Sequence, residues 1–161
     1  MRPATAARAA LVALAVLGAS ACSASGLAFR QDDRVRFVEP ADREEVEEPV
    51  KFRWRAEGLP AGTTYAVFVD RSPQPPGKTV AWLFRDDKSC ARIPECPDSE
   101  YLALRGIFLT DEEELTVSRL RDLDDQSRQL HAVTVVLLDR QGRRLGESAF
   151  IREVQLRAED N

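Results

Sequence analysis

At 161 residues, with 43% hydrophobic and 31% charged side chains, the chain is long enough for one domain with a real core, too short for two comfortable ones, and too apolar for a disordered polymer. Its formal net charge of −4, with both signs mixed along the chain, argues against nucleic acid, which needs clustered Lys and Arg to displace counterions, and against simple adsorption to anionic lipid. Arg outnumbers Lys 20 to 3, so Arg is the default cation and no lone Arg reads as a selected ligand.

Arg2 and Arg8 flank the start of an apolar stretch, residues 9–18 (AALVALAVLG). Its length suits a signal-peptide core and falls short of the roughly 17–25 apolar residues of a spanning helix. Ala19-Ser20-Ala21-Cys22 follows, with small side chains at −3 and −1 of a cut before Cys22. The segment resembles a bacterial lipobox, in which the Cys after the cut is diacylated on sulfur. It departs from the common pattern at −3, where Leu is usual and Ala19 stands here. Ala-Ser-Ala also suits ordinary signal peptidase, so a freely secreted or an uncleaved form is the alternative. The resemblance implies a signal peptide over 1–21, lipidation of Cys22, and a protein anchored outside the cytoplasm, in the cell envelope. Each buried CH₂ of such an anchor contributes about 0.8 kcal/mol. Residues 22–33 then form a tether. Its eleven residues after Cys22 (SASGLAFRQDD) show no clean period and reach roughly 18 Å as a flexible coil.

From residue 34 to residue 157 the chain alternates in short runs bounded by turn residues, the pattern of β-strands. Residues 34–38 (RVRFV) are a first strand, ended by Glu39-Pro40. Residues 50–56 (VKFRWRA) put Val50, Phe52 and Trp54 on one face and Lys51, Arg53 and Arg55 on the other, so one face enters a core and the other meets water. A Gly/Pro turn leads to a third strand, 64–69 (TYAVFV). Residues 70–78 (DRSPQPPGK) are a stiff proline loop. Residues 79–84 (TVAWLF) are a fourth strand, with Trp82, Val80 and Phe84 in one stripe. Residues 86–100 form an irregular insert holding Cys90 and Cys96. Residues 101–109 (YLALRGIFL) are a fifth strand, weakened by Gly106. Residues 114–120 (ELTVSRL) are a sixth strand or one helical turn, because Thr110 and Glu113 have capping-box spacing. After a polar loop, residues 130–139 (LHAVTVVLLD) are the strongest strand, Gln141-Gly142 a turn, and 148–156 the last strand. Seven or eight strands without βαβ alternation predict an all-β fold of two packed antiparallel sheets. Residues 158–161 are a tail.

Val50-x-Phe52-x-Trp54, a Pro/Gly turn, then Tyr65-x-Val67-x-Val69 resembles the second and third strands of a fibronectin type III or related immunoglobulin-like domain. The resemblance implies that Trp54 fills the core. It also implies that Leu120 ends a strand and that His131, opening the next, stands where the family has a corner Tyr. This domain class serves adhesion, ligand binding and spacing, so the fold fixes no function.

Cys90 and Cys96 are the pair that remains once Cys22 is lipidated, and outside the cytoplasm they are expected to form a disulfide. The ring pins either a recognition loop or an otherwise loose insert. His131 is the only His, too few for a transition-metal site. With Ser118 and Asp139 it names a conceivable hydrolytic set, but no nucleophile elbow marks them. Carboxylates occur in runs at 44–45, 47–48 and 111–114, and Asp122, Asp124 and Asp125 form the best Ca²⁺ candidate, without EF-hand spacing; a solvated loop is the alternative. The expectation is a membrane-tethered, extracytoplasmic binding or scaffold module with no cofactor, no metal and no catalysis. Its partner would be an envelope protein or a cell-wall polymer, contacted through two rigid loops by Arg71, Gln74, Lys78, Arg92 and Glu95. The competing expectation is an envelope hydrolase, or a domain assisting one, acting on cell-wall or polysaccharide substrate.

Overall fold

The computed structural model describes residues 33–120 and 129–157. The expected signal peptide, Cys22, nearly all of the tether, the Asp122/Asp124/Asp125 loop and the tail lie outside the described residues.

The chain is predominantly β, in two sheets. Strands β1 (Val35–Glu39), β3 (Val50–Ala56) and β6 (Glu114–Val117) form one, in the order β1-β3-β6. The other is β2-β8-β7-β4-β5, from β2 (Glu44–Val46), β4 (Thr64–Val69), β5 (Ile107–Thr110), β7 (Gln129–Leu138) and β8 (Phe150–Leu156). Neighbours are antiparallel except β2 and β8, where Glu44 pairs with Val154 in parallel register.

Alternation explains the first sheet. In β3, Val50, Phe52 and Trp54 are buried while Lys51, Arg53 and Arg55 are exposed. Trp54 meets Phe37 and Tyr65 edge to face, with centroids 6.2 and 5.4 Å apart. Together with Val67, Val133, Val135 and Leu137 from the second sheet, these side chains form one core between the two sheets. Each large apolar side chain buried there contributes about 1.5–3 kcal/mol, and truncating Trp54 to Ala is expected to cost about 3–5 kcal/mol.

The second sheet is buried on both faces at its centre. Tyr65, Val67 and Val69 of β4 join the inter-sheet core, while Ala66 and Phe68 join a second cluster with Val136 and Leu138 of β7. That second cluster is closed by the segment between β4 and β5, which contributes Val80, Phe84, Cys90, Tyr101 and Leu102. Near-continuous apolar runs in β4 and β7 are the consequence.

This covering segment corrects two expected strands. Residues 79–84 are not extended: Val80–Phe84 is a 3₁₀ turn. Val80 and Phe84 point into the second cluster, while Trp82 is half-buried under Arg85, whose guanidinium lies 3.8 Å from its ring centre. The run 101–109 splits into a helix α1 (Ser99–Ala103) and β5. Asp98 caps α1 by accepting the Tyr101 N–H at 2.8 Å, as an N-cap carboxylate does. Gly106, at φ 69°, ends the turn in the left-handed region that glycine adopts without strain. The helical turn left open after Thr110 does not form; Thr110 Oγ1 accepts the Glu112 N–H within a turn leading to β6. β2, three residues of an acidic stretch, carries no alternation and was not expected.

Candidate functional site

The ends of β4, α1, β5 and β6 converge at the edge formed by β5 and β6, the outer strands of their sheets. Here lies a groove of about 350 Å³, at the low end of the range for small-ligand pockets, about 300–1,000 Å³. Val69, Phe108 and Val117 supply apolar lining, and Leu104 stands exposed beside them. The charged groups lining it are Asp70, Arg71, Arg105 and Arg119.

Asp70 is half-buried. Its Oδ2 lies 2.7 Å from His131 Nδ1, and its Oδ1 accepts the Ala132 N–H at 2.9 Å. The backbone at Asp70 has φ 53°, a left-handed geometry that Asp tolerates better than most residues. It breaks the alternation of β4 and carries this carboxylate to the buried imidazole. With both oxygens engaged, the remaining charge along the groove is that of the three guanidinium groups.

The three arginines are held differently. Arg71 is exposed, and its Nη1 donates to the Arg105 carbonyl at 3.2 Å. Among the described residues no carboxylate pairs with it. Arg105 stacks over Tyr101, 3.4 Å from the ring centre, with Nη2 3.8 Å from Asp87. Arg119 has a side chain 88% exposed and approaches Glu48 only to 4.0 Å. Behind Arg105, Asp87 accepts from the Tyr101 hydroxyl and from the Ser89 and Cys90 N–H groups. The Tyr101 hydroxyl, then those two N–H groups, hold the Asp87 carboxyl below its ordinary value. Burial, then the Asp87 hydrogen bond, pushes the Tyr101 hydroxyl above its own.

The floor of the groove is tight. Gly106 O accepts the Val69 N–H at 2.8 Å. A Cβ at Gly106 would stand 2.9 Å from the Val69 carbonyl oxygen.

Of the residues expected to make contacts, only Arg71 lines this groove. Gln74 is fully buried, which corrects its assignment to a contact surface: its carbonyl accepts from Arg144 Nη1 at 2.7 Å, packing the proline loop onto the β7–β8 connection. Lys78 is exposed beside that connection, where its carbonyl accepts the Arg144 N–H at 2.9 Å. Arg92 and Glu95 are exposed within the ring closed by Cys90 and Cys96, whose sulfurs are 1.98 Å apart. The two expected contact loops therefore do not merge into one site.

The residues named for hydrolysis are also not assembled. His131 is fully buried and bonded to Asp70, whereas Asp139 accepts the Gln141 and Arg143 N–H groups in the turn after β7. Eight residues of strand separate them, roughly 26 Å. Leu120 lies beyond the end of β6 and His131 is the third residue of β7. The imidazole thus reaches the end of β4. Among the described residues, no three His, Cys, Asp or Glu side chains cluster as metal ligands.

Sequence reasoning missed Arg105 and Arg119. Each is a lone Arg in an Arg-rich chain, and only the meeting of three chain segments makes them a group. No family model matches the chain, and comparison with curated proteins and with solved structures returned no match.

Proposed function

We propose that this chain is a membrane-tethered, extracytoplasmic binding module of the bacterial cell envelope, built on an immunoglobulin-like sandwich. Its partner is an envelope protein or a cell-wall polymer. The observation that carries the reading is the arginine-lined groove at the β5–β6 edge. Guanidinium groups stay protonated and hold anions, and they neither accept nor relay protons near neutral pH. Three of them around an apolar floor favour recognition over catalysis.

Other features support the remaining parts. The strand order β1-β3-β6 against β2-β8-β7-β4-β5 agrees with an immunoglobulin-like arrangement, in which the first strand divides between the two sheets. The Cys90–Cys96 bridge suits an oxidising compartment. The Arg2-to-Cys22 leader and its lipobox-like end supply the anchor.

In-cell crosslinking of the full-length protein, followed by capture and mass spectrometry, tests the reading, with Cys22→Ala as control. A reproducible partner that is lost in Cys22→Ala is expected. Unchanged capture by Cys22→Ala would remove the tether from the reading, and no partner at all would remove the binding role.

A further inference from the structure

We infer that the groove takes the free C-terminal carboxylate of a short peptide with small apolar side chains. The inference rests on reading the groove as a binding site and adds the chemistry of its ligand.

Charge comes first. Among the described residues Asp70 is the only carboxylate lining the groove, and both its oxygens already accept hydrogen bonds, from His131 and Ala132. Arg105 is partly committed, stacked on Tyr101 and facing Asp87. Among the described residues, Arg71 and Arg119 are the groups with donors to spare. A guanidinium carries five N–H donors. Arg71 spends one on the Arg105 carbonyl, and Arg119 has Glu48 only at 4.0 Å. Planar forks of this kind match a carboxylate two bonds at a time.

Apolar surface narrows the class. Exposed Leu104 and half-buried Phe108 line the same groove, so a ligand that presents an apolar group beside its charge fits it best. A peptide terminus does so, because the last side chain sits one carbon from the carboxylate. A polyuronate or an inorganic anion carries the charge and lacks the apolar group. A volume of about 350 Å³ suits a ligand of a few small residues rather than a folded domain.

The test is calorimetric titration of the full-length protein in non-ionic detergent with N-acetyl-alanyl-alanine, against the same dipeptide as its C-terminal amide. The acid is expected to bind saturably and the amide about tenfold more weakly, equivalent to about 1.4 kcal/mol. Arg71→Gln and Arg119→Gln are each expected to weaken the acid by a similar factor. Both side chains are exposed, so their unfolding curves should match that of the parent protein. Equal binding of acid and amide, equal binding of inorganic phosphate or trigalacturonate, or indifference to both substitutions would overturn the inference. So would the absence of saturation by the acid. Cys22-dependent partner capture that survives in the Arg71→Gln/Arg119→Gln double variant would also overturn it, while leaving the tethered module standing. Peptide binding that persists when capture no longer depends on Cys22 would do the reverse.

Discussion

His131 Nδ1 lies 2.7 Å from Asp70 Oδ2, across 61 residues of sequence. The imidazole is fully buried, and a polar group removed from water costs free energy unless it is bonded. Asp70→Ala strips the imidazole and the Ala132 N–H of their acceptor at once. It is expected to lower stability by about 2–4 kcal/mol in urea unfolding at neutral pH. Asp70→Asn keeps an acceptor and tolerates the left-handed backbone, so it should lose less. An Asp70→Ala variant within about 0.5 kcal/mol of the parent would show that the pair does not hold the end of β4.

Gly106→Ala tests the floor of the groove. The substitution meets two obstacles, a φ of 69° and a Val69 carbonyl oxygen 2.9 Å from the new Cβ. Backbone blocks it, so no flexible side chain can move aside. A loss of about 1–3 kcal/mol is expected. Hydrogen exchange should also speed up at the Val69 amide, which Gly106 O now protects.

The Cys90–Cys96 ring spans seven residues counted inclusively, and its closure contributes about 2 kcal/mol in the chain-entropy treatment. Cys90 is also buried in the outer cluster with Phe84 and Tyr101. The Cys90→Ala/Cys96→Ala variant should lose about that amount and loosen the segment covering β4 and β7. Its amides should exchange faster while those of β3 stay protected. Uniform loosening of both sheets would mean that the covering segment and the inter-sheet core unfold as one unit.

Burial of Tyr101 and its hydrogen bond to Asp87 set two pH limits. Asp87 titrates lower when folded than when unfolded. Its contribution is complete above the unfolded carboxyl value of about 3.9 and is lost as pH falls through the lower folded value. Tyr101 titrates higher when folded. Its contribution is complete below about pH 10 and is lost as pH rises through the higher folded value. Tyr101→Phe removes the hydroxyl, so its stability relative to the parent should recover at both extremes. A difference between the two proteins that stays constant from acid to alkali would rule this coupling out.

How far the sequence disclosed these features depends on whether the cause was local. The bounds of β3 follow from alternation, because one face must leave water, and those of β4 from its apolar run between a Gly/Pro turn and Asp70. Cysteine economy pointed to the partnership of Cys90 and Cys96. The 79–84 and 101–109 runs misled because a segment covering a sheet is as apolar as the sheet itself. Asp98, placed three residues before Tyr101, was the available sign of a helix start, and Gly106 of its end. β2 left no trace, since its pairing with Val154–Leu156 is imposed from a hundred residues away. The groove was illegible for the same reason. Arg71, Arg105 and Arg119 belong to three separate segments, and only the packing of β4, α1 and β6 brings them together.

Gln74 provides the sharpest separation between packing and polarity. Its residue is fully buried, and among the described residues neither amide atom of its side chain finds a hydrogen-bond partner. The useful polar atom is its backbone carbonyl, which receives Arg144 Nη1. Arg144 also donates through Nη2 to the Glu147 carbonyl at 2.7 Å. Gln74→Met keeps the length and shape of the side chain, retains that carbonyl and removes the unpaired amide. It is expected to be neutral or to stabilise by about 1 kcal/mol in urea unfolding. Arg144→Lys keeps the charge but loses the fork that spans two carbonyls, and is expected to cost about 1–3 kcal/mol. The pair of results discriminates: if Gln74→Met costs as much as Arg144→Lys, the Gln74 amide is itself a bonding group, and the loop is held by its side chain as well as its backbone.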